Sequence, residues 1–146
     1  MVWGCVSGHG LNHLVRCSSH INGQEYGDLL LDIVYPMVAT SETAIFQEDN
    51  APIHKCKVAS QLKQELGIET MEWPPQSPDL SPIENIWREV KRWIQQNRKP
   101  RTEMELWKAV EEAWEAVVPE VVLKFIDSMP ERVVEVTEKK GYATRW

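Results

Sequence analysis

An α/β domain whose later strands run parallel is what this sequence predicts. Two observations lead there. The order of segments reads strand, strand, helix, strand, helix, strand, then helices only, and strands joined through helices return in parallel. The bulk numbers also suit one domain with its own core. The chain has 146 residues, 42% hydrophobic and 26% charged, which is the composition of a folded globular chain.

Met1 to Ser7 is apolar around Val2, Trp3 and Val6 and reads as a strand. Gly8-His9-Gly10 signals a turn, and Leu11 to Ser18 alternates loosely as the returning strand of a hairpin. Asn22 to Val38 has helical period, with Tyr26, Leu29, Leu30, Ile33 and Val34 on one stripe and Asn22 as its N-cap. Thr43 to Glu48 reads as a short strand ending at Asp49-Asn50. Lys55 to Leu66 follows as a helix that Gly67 ends in the left-handed conformation, and Ile68 to Trp73 as another strand.

The connection from Pro74 to Pro82 holds four prolines in nine residues, which makes it stiff and non-helical. Pro82 to Asn97 is helical, with Ile83, Ile86, Trp87, Val90, Trp93 and Ile94 on its apolar face. Thr102 and Glu105 form a capping box for the next helix, whose stripe is Leu106, Trp107, Val110, Ala113, Trp114 and Val117. Pro119 opens a last helical stretch to Ser128, and a further short helix follows Pro130. Of the seven tryptophans, Trp87, Trp93, Trp107 and Trp114 stand at helical spacing and read as core.

Composition excludes some classes of function. No apolar run is long enough to cross a bilayer, and neither a secretory signal nor a lipidation motif is present. Three cysteines are too few and too odd in number for a disulfide framework, which points to a reducing, intracellular setting. Cys5, His9, His13 and Cys17 recur every four residues, but without the close Cys pairs of a zinc site they read as strand residues. The net charge of −6 argues against a general nucleic-acid binder. One segment runs the other way. Arg88, Lys91, Arg92, Arg98, Lys99 and Arg101 stand against a single acid, Glu89, and such a segment can meet DNA phosphates or simply be a solvated helix face.

Two carboxylates stand where chemistry is usually placed. Asp49 lies at the end of a strand, and Glu84 in the first turn of a helix behind the proline-rich connection. Carboxylates on rigid elements hold hard divalent cations, and a pair of such ions catalyses phosphodiester displacement. Each also has an ordinary explanation. Ser81-Pro82-Ile83-Glu84 is a capping box with proline at its first helical position, and Asp49 is a common turn residue. Spacing alone does not choose between them.

The local text does. Phe46-Gln47-Glu48-Asp49-Asn50-Ala51-Pro52-Ile53-His54 resembles the second-aspartate motif of Tc/mariner-type transposases. Trp73 to Trp87 resembles their third-acid motif, and Trp3-Gly4-Cys5 the strand that precedes both. Between Asp49 and Glu84 lie 34 residues, the interval of the Tc branch. The resemblance implies an RNase H-like catalytic core, truncated at its N-terminus with the first central strand missing, and carrying extra C-terminal helices. It implies a catalytic and metal-binding role for Asp49 and Glu84, with Mg2+ or Mn2+ as a two-metal cofactor, and supporting roles for Asn50, His54 and Asn85. It also implies metal-dependent DNA cleavage and strand transfer in the nucleus, with DNA as partner and Arg88, Lys91, Arg92, Arg98, Lys99 and Arg101 as weak DNA contacts.

The sequence departs from the family at one point. The first catalytic aspartate belongs to a strand before Trp3-Gly4, and no acid precedes Glu25. The family's N-terminal helix-turn-helix region is likewise not in the sequence. The expectation is therefore a partial DDE domain over 1–146, inactive alone, with sheet edges open to a homodimer or a full-length transposase. The alternative reading is a non-catalytic DNA- or transposase-binding module derived from a transposon.

Overall fold

The structure is a computed structural model that describes residues 1–41 and 43–146. The described residues form two compact units. The first is Met1 with Cys17–Ser77, and the second is Val2–Arg16 with Pro78–Trp146.

The hairpin belongs to the second unit. Strands β1 (Val2–Ser7) and β2 (Gly10–Arg16) pair antiparallel, from Val2 opposite Arg16 to Ser7 opposite Gly10, with a register shift between Gly4 and Val6. A short 3-10 turn at Pro78–Leu80 and four α-helices complete the unit: α4 (Pro82–Asn97), α5 (Glu103–Glu115), α6 (Pro119–Asp127) and α7 (Met129–Glu138). The expected apolar face of α4 is the inner one. Ile86 and Val90 join Ala113, Trp114 and Val122 in the core, and Val6, Leu11 and Leu14 of the hairpin pack against them. Gly4 is needed there. A β-carbon on it would meet the Trp114 ring at 2.9 Å and the Trp87 ring at 3.1 Å.

On α5 the buried face is Ala109, Ala113 and Trp114, whereas Leu106 of the expected stripe is 46% exposed. Small residues let α5 approach its neighbours closely, which turns Leu106 outward. Trp87 and Trp93 pack on the core, as the sequence suggests, while Trp107 is only partly buried. The Thr102–Glu105 box forms by half. Thr102 Oγ1 accepts the Glu105 amide at 3.2 Å, but the Glu105 carboxylate takes the Arg101 amide at 2.7 Å, one residue earlier than expected.

The first unit is built on the helix expected from Asn22 to Val38, which is interrupted. An α-helix α1 (Gly23–Leu29) gives way to a π-helical turn at Leu30–Val34 and then to α2 (Tyr35–Val38). Pro36 explains the change. Its ring has no N–H and crowds the carbonyl of Asp32, and a widened turn relieves that contact. The Asn22 carboxamide caps α1 by accepting the Gln24 and Glu25 amides. Tyr26, Leu29, Leu30 and Val34 are buried as expected. Helix α3 (Lys57–Leu66) ends at Gly67 with φ 66°, where the Ile68 amide bonds Lys63 O at 2.9 Å and the Gly67 amide bonds Gln64 O.

The strands expected at Thr43–Glu48 and Ile68–Trp73 are not full strands. They meet in one parallel bridge, Phe46 with Thr70, through Phe46 N to Glu69 O at 2.8 Å and Met71 N to Phe46 O at 3.0 Å. The direction is the expected one. A ladder longer than this needs further register-matched partners, which a period-2 pattern alone does not supply.

Candidate active site

The sequence-derived site residues fall into two groups, one in each unit. The first group lies on the loop between Phe46 and α3. Asp49 Oδ1 accepts the Ala51 amide at 2.9 Å, the short turn aspartate chains favour, and also meets His54 Nδ1 at 2.8 Å. The Asp49 side chain is 66% exposed, and its Oδ2 has no partner among the described residues. Asn50 makes its side-chain bond away from Asp49's partners, on the chain at Trp73. Its amide donates to Trp73 O at 2.7 Å and ties the loop to the segment leading into the proline connection.

His54 is held on several sides. Its ring lies 4.7 Å from that of Tyr26, its Nδ1 is also 3.2 Å from Asp49 O, and its carbonyl accepts Lys63 Nζ at 3.0 Å. Beneath it is a polar cluster that the sequence did not single out. Glu48 is largely but not fully buried, accepts the Tyr26 hydroxyl and pairs with Lys63. Burial, reinforced by the Glu48 charge, pushes the Tyr26 hydroxyl far above its ordinary range, so it stays a donor. The available signal was the alternation of an extended chain. If Asp49 faces out, Glu48 faces in.

The second group surrounds the start of α4. Glu84 is exposed in its first turn. The capping box that would explain it structurally is not formed: the Ser81 amide bonds Pro78 O at 3.0 Å, and the Ser81 side chain makes no cap bond. Glu84 also stands four residues before Arg88, the favoured order for a helix ion pair, yet no such pair forms among the described residues. Asn85, beside Glu84, is buried, and its Oδ1 accepts Arg132 Nη2 at 2.8 Å. Asp79 Oδ2 accepts the Thr144 amide at 2.7 Å. Burial works to raise the Asp79 carboxyl, but the hydrogen bonds from Thr144 and nearby amides outweigh it and hold it below the usual range.

A cavity of about 280 Å³ opens here, lined by Pro78, Asp79, Glu84, Arg88, Lys91 and Trp146. The basic segment divides accordingly. Arg92 pairs with Glu89 at 2.6 Å, and Arg98 pairs with Glu112 at 2.7 Å and lies over Trp93. Arg88, Lys91, Lys99 and Arg101 have no carboxylate partner among the described residues. Of these, Arg88 and Lys91 share the Glu84 cavity.

No group of three or more His, Cys, Asp or Glu residues converges among the described residues. The donor chemistry nonetheless suits a hard divalent cation. Asp49 and Glu84 each offer carboxylate oxygen free of partners among the described residues, and magnesium commonly takes one or two protein carboxylates.

The model of the DDE superfamily endonuclease family matches residues 1–107. The chain is 32% identical to the transposase of the transposable element Tcb2 from Caenorhabditis briggsae over 148 residues, covering 100% of this chain and 54% of that protein. The Tc1 transposase of Caenorhabditis elegans matches at the same identity and coverage. The chain thus spans about half the length of the curated relatives it matches. Its fold is that of the catalytic domain of Mos1 transposase, solved with raltegravir and manganese, at a TM-score of 0.83 and 19% identity, over 99% of this chain and 76% of that one. The Mos1 mariner paired-end complex with manganese matches at a TM-score of 0.80 and 19% identity, over 96% of this chain and 43% of that one. The RNase H-like fold read from the sequence is therefore the observed one, and the chain belongs to the DDE superfamily of endonucleases, among the Tc/mariner-type transposases.

Proposed function

We propose that this chain supplies the second aspartate, Asp49, and the final glutamate, Glu84, of a divalent-metal-dependent transposase that cleaves DNA and joins its strands. The observation that carries this reading is Glu84. Its motif-matched carboxylate sits in the first turn of α4 with neither a cap nor an ion pair to occupy it among the described residues. Asp49 and Glu84 would hold magnesium or manganese, and the ions would activate the attacking oxygen and steady the leaving one. The protein's own part is positioning. His54 orients Asp49 through Oδ1 and leaves Oδ2 open, Asn50 anchors the loop, and Asn85 fixes the inner side of α4.

DNA is the substrate this reading requires, met through phosphates by Arg88 and Lys91 ahead of the paired Arg92 and Arg98. A second transposase subunit is the natural protein partner, and the nucleus the natural place of action. No helix among the described residues is long and apolar enough to cross a membrane.

The 146 residues alone bring two of the family's three acids, so they should nick supercoiled plasmid no faster than Asp49→Asn or Glu84→Gln. Both substitutions should weaken Mn2+ binding, measured by paramagnetic resonance of the free ion. Nicking lost in both variants would mean that another acid completes the site in this chain. Mn2+ and plasmid binding indifferent to both substitutions would overturn the assignment.

A further inference from the structure

Part of the segment beyond the family match, which ends at residue 107, closes on the turn that carries Glu84. Arg132 of α7 is fully buried at its centre. Its Nη1 donates to Asp79 O at 2.7 Å, its Nη2 to Asn85 Oδ1 at 2.8 Å and its Nε to Ser128 Oγ at 2.9 Å. One of these bonds ends on the turn that leads into α4 and another on the first turn of α4 itself. The Trp146 ring lies 4.8 Å from the same guanidinium, and the Thr144 amide holds Asp79 from the tail.

None of the three acceptors is a carboxylate. Burial draws the guanidinium's proton affinity down and the Asp79 charge offsets this in part, yet an arginine stays charged. Burying a cation against neutral acceptors is costly, and an apolar side chain of similar volume commonly packs as well or better. Core stability is therefore a poor reason for arginine here. What its planar fork offers, and an apolar chain does not, is donors at fixed angles. With Asn85 locked inward, the rotation of α4 about its axis is set, and the neighbouring Glu84 must face the cavity it shares with Trp146.

We propose that Arg132 is a positioning residue for Glu84, locking the Asp79–Asn85 turn to α7 so that the first turn of α4 presents its carboxylate in one direction. The proposal rests on the reading of Glu84 as a metal-binding acid.

The test uses the full chain, with Mn2+ affinity read by paramagnetic resonance well below the unfolding temperature, and amide exchange followed over residues 79–85. Arg132→Met should weaken Mn2+ binding about tenfold and speed exchange in that turn, with Arg132→Lys between it and the native chain. Ethylguanidinium added to Arg132→Ala should restore the affinity, which a loss of packing alone would not allow. If Glu84→Gln loses Mn2+ but Arg132→Met binds it as the native chain does, the positioning role is overturned and Glu84 keeps its own. If Glu84→Gln binds Mn2+ normally, both fall. Should the Met and Ala variants not fold, Arg132→Lys decides, and native affinity in it overturns the proposal.

Discussion

Gly4 lies against Trp114 so closely that a β-carbon on it would stand 2.9 Å from the indole. Trp114 has little room to retreat, because its ring is 5.0 Å from that of Trp87 and its Nε1 donates to Asn12 O at 3.3 Å. Gly4→Ala should therefore destabilise the second unit by about 1–3 kcal/mol, the usual cost of overpacking. Urea unfolding followed by tryptophan fluorescence measures it. A gain in stability, as Ala for Gly in a roomy strand would give, would show that the contact is not tight.

Lys63 and Glu48 form a largely buried pair, with side chains 12% and 11% exposed. Removing one partner strands the other, so Lys63→Met should cost up to about 3 kcal/mol, the lower end for a buried pair because some water still reaches this one. Replacing both with Met should cost less than Lys63→Met alone, because no charge is then left behind. Chemical denaturation of the three variants checks the order, and a double variant worse than the single would contradict it.

Alkaline pH should act through Tyr26. Its hydroxyl is raised in the folded chain by burial and by Glu48, so folding favours the protonated form. That contribution is complete below the unfolded value near 10 and is lost as pH rises above it toward the folded value. Melting temperature should fall above about pH 10, and Tyr26→Phe should remove that part of the fall. A Phe variant with the same alkaline slope would point to another group.

DNA binding should depend unequally on the basic segment. Arg88→Ala and Lys91→Ala should each weaken plasmid binding and reduce the slope of log affinity against log salt by about 0.9, the share of one phosphate contact. Arg92→Ala and Arg98→Ala should change it less, since Glu89 and Glu112 already occupy those side chains. Equal effects from all four would mean that the segment acts as a diffuse charge.

What the sequence revealed follows the range of the interactions involved. The Asn22 cap, the Gly67 stop and the Tyr26–Val34 stripe depend on residues within a turn or two, and they are where the text places them. The segments around Phe46 and Thr70 depend on partners far along the chain, and there the pattern promised more pairing than one bridge. At the site, Asp49 and Glu84 were legible only through their motifs. Glu48 and Arg132 were missed because a charged residue in a short strand or on an amphipathic helix reads as solvent-facing, and only the fold shows the acceptors and cations that let them lie buried.

The second unit is assembled from two stretches of chain, Val2–Arg16 and Pro78–Trp146, with Cys17–Ser77 of the first unit between them. On the ribosome this sets an order of events. The hairpin emerges first, but Val6, Leu11 and Leu14 pack against a core that Val122 of α6 completes. At about 5–20 residues per second, that is a wait of roughly 5–25 s. During it the Cys17–Ser77 stretch of the first unit is fully made and can fold, while the hairpin holds apolar side chains without their cover. A ribosome that stalls before α6 should therefore release a chain that is half native and half adhesive, and chaperones should find it by the uncovered face of the hairpin.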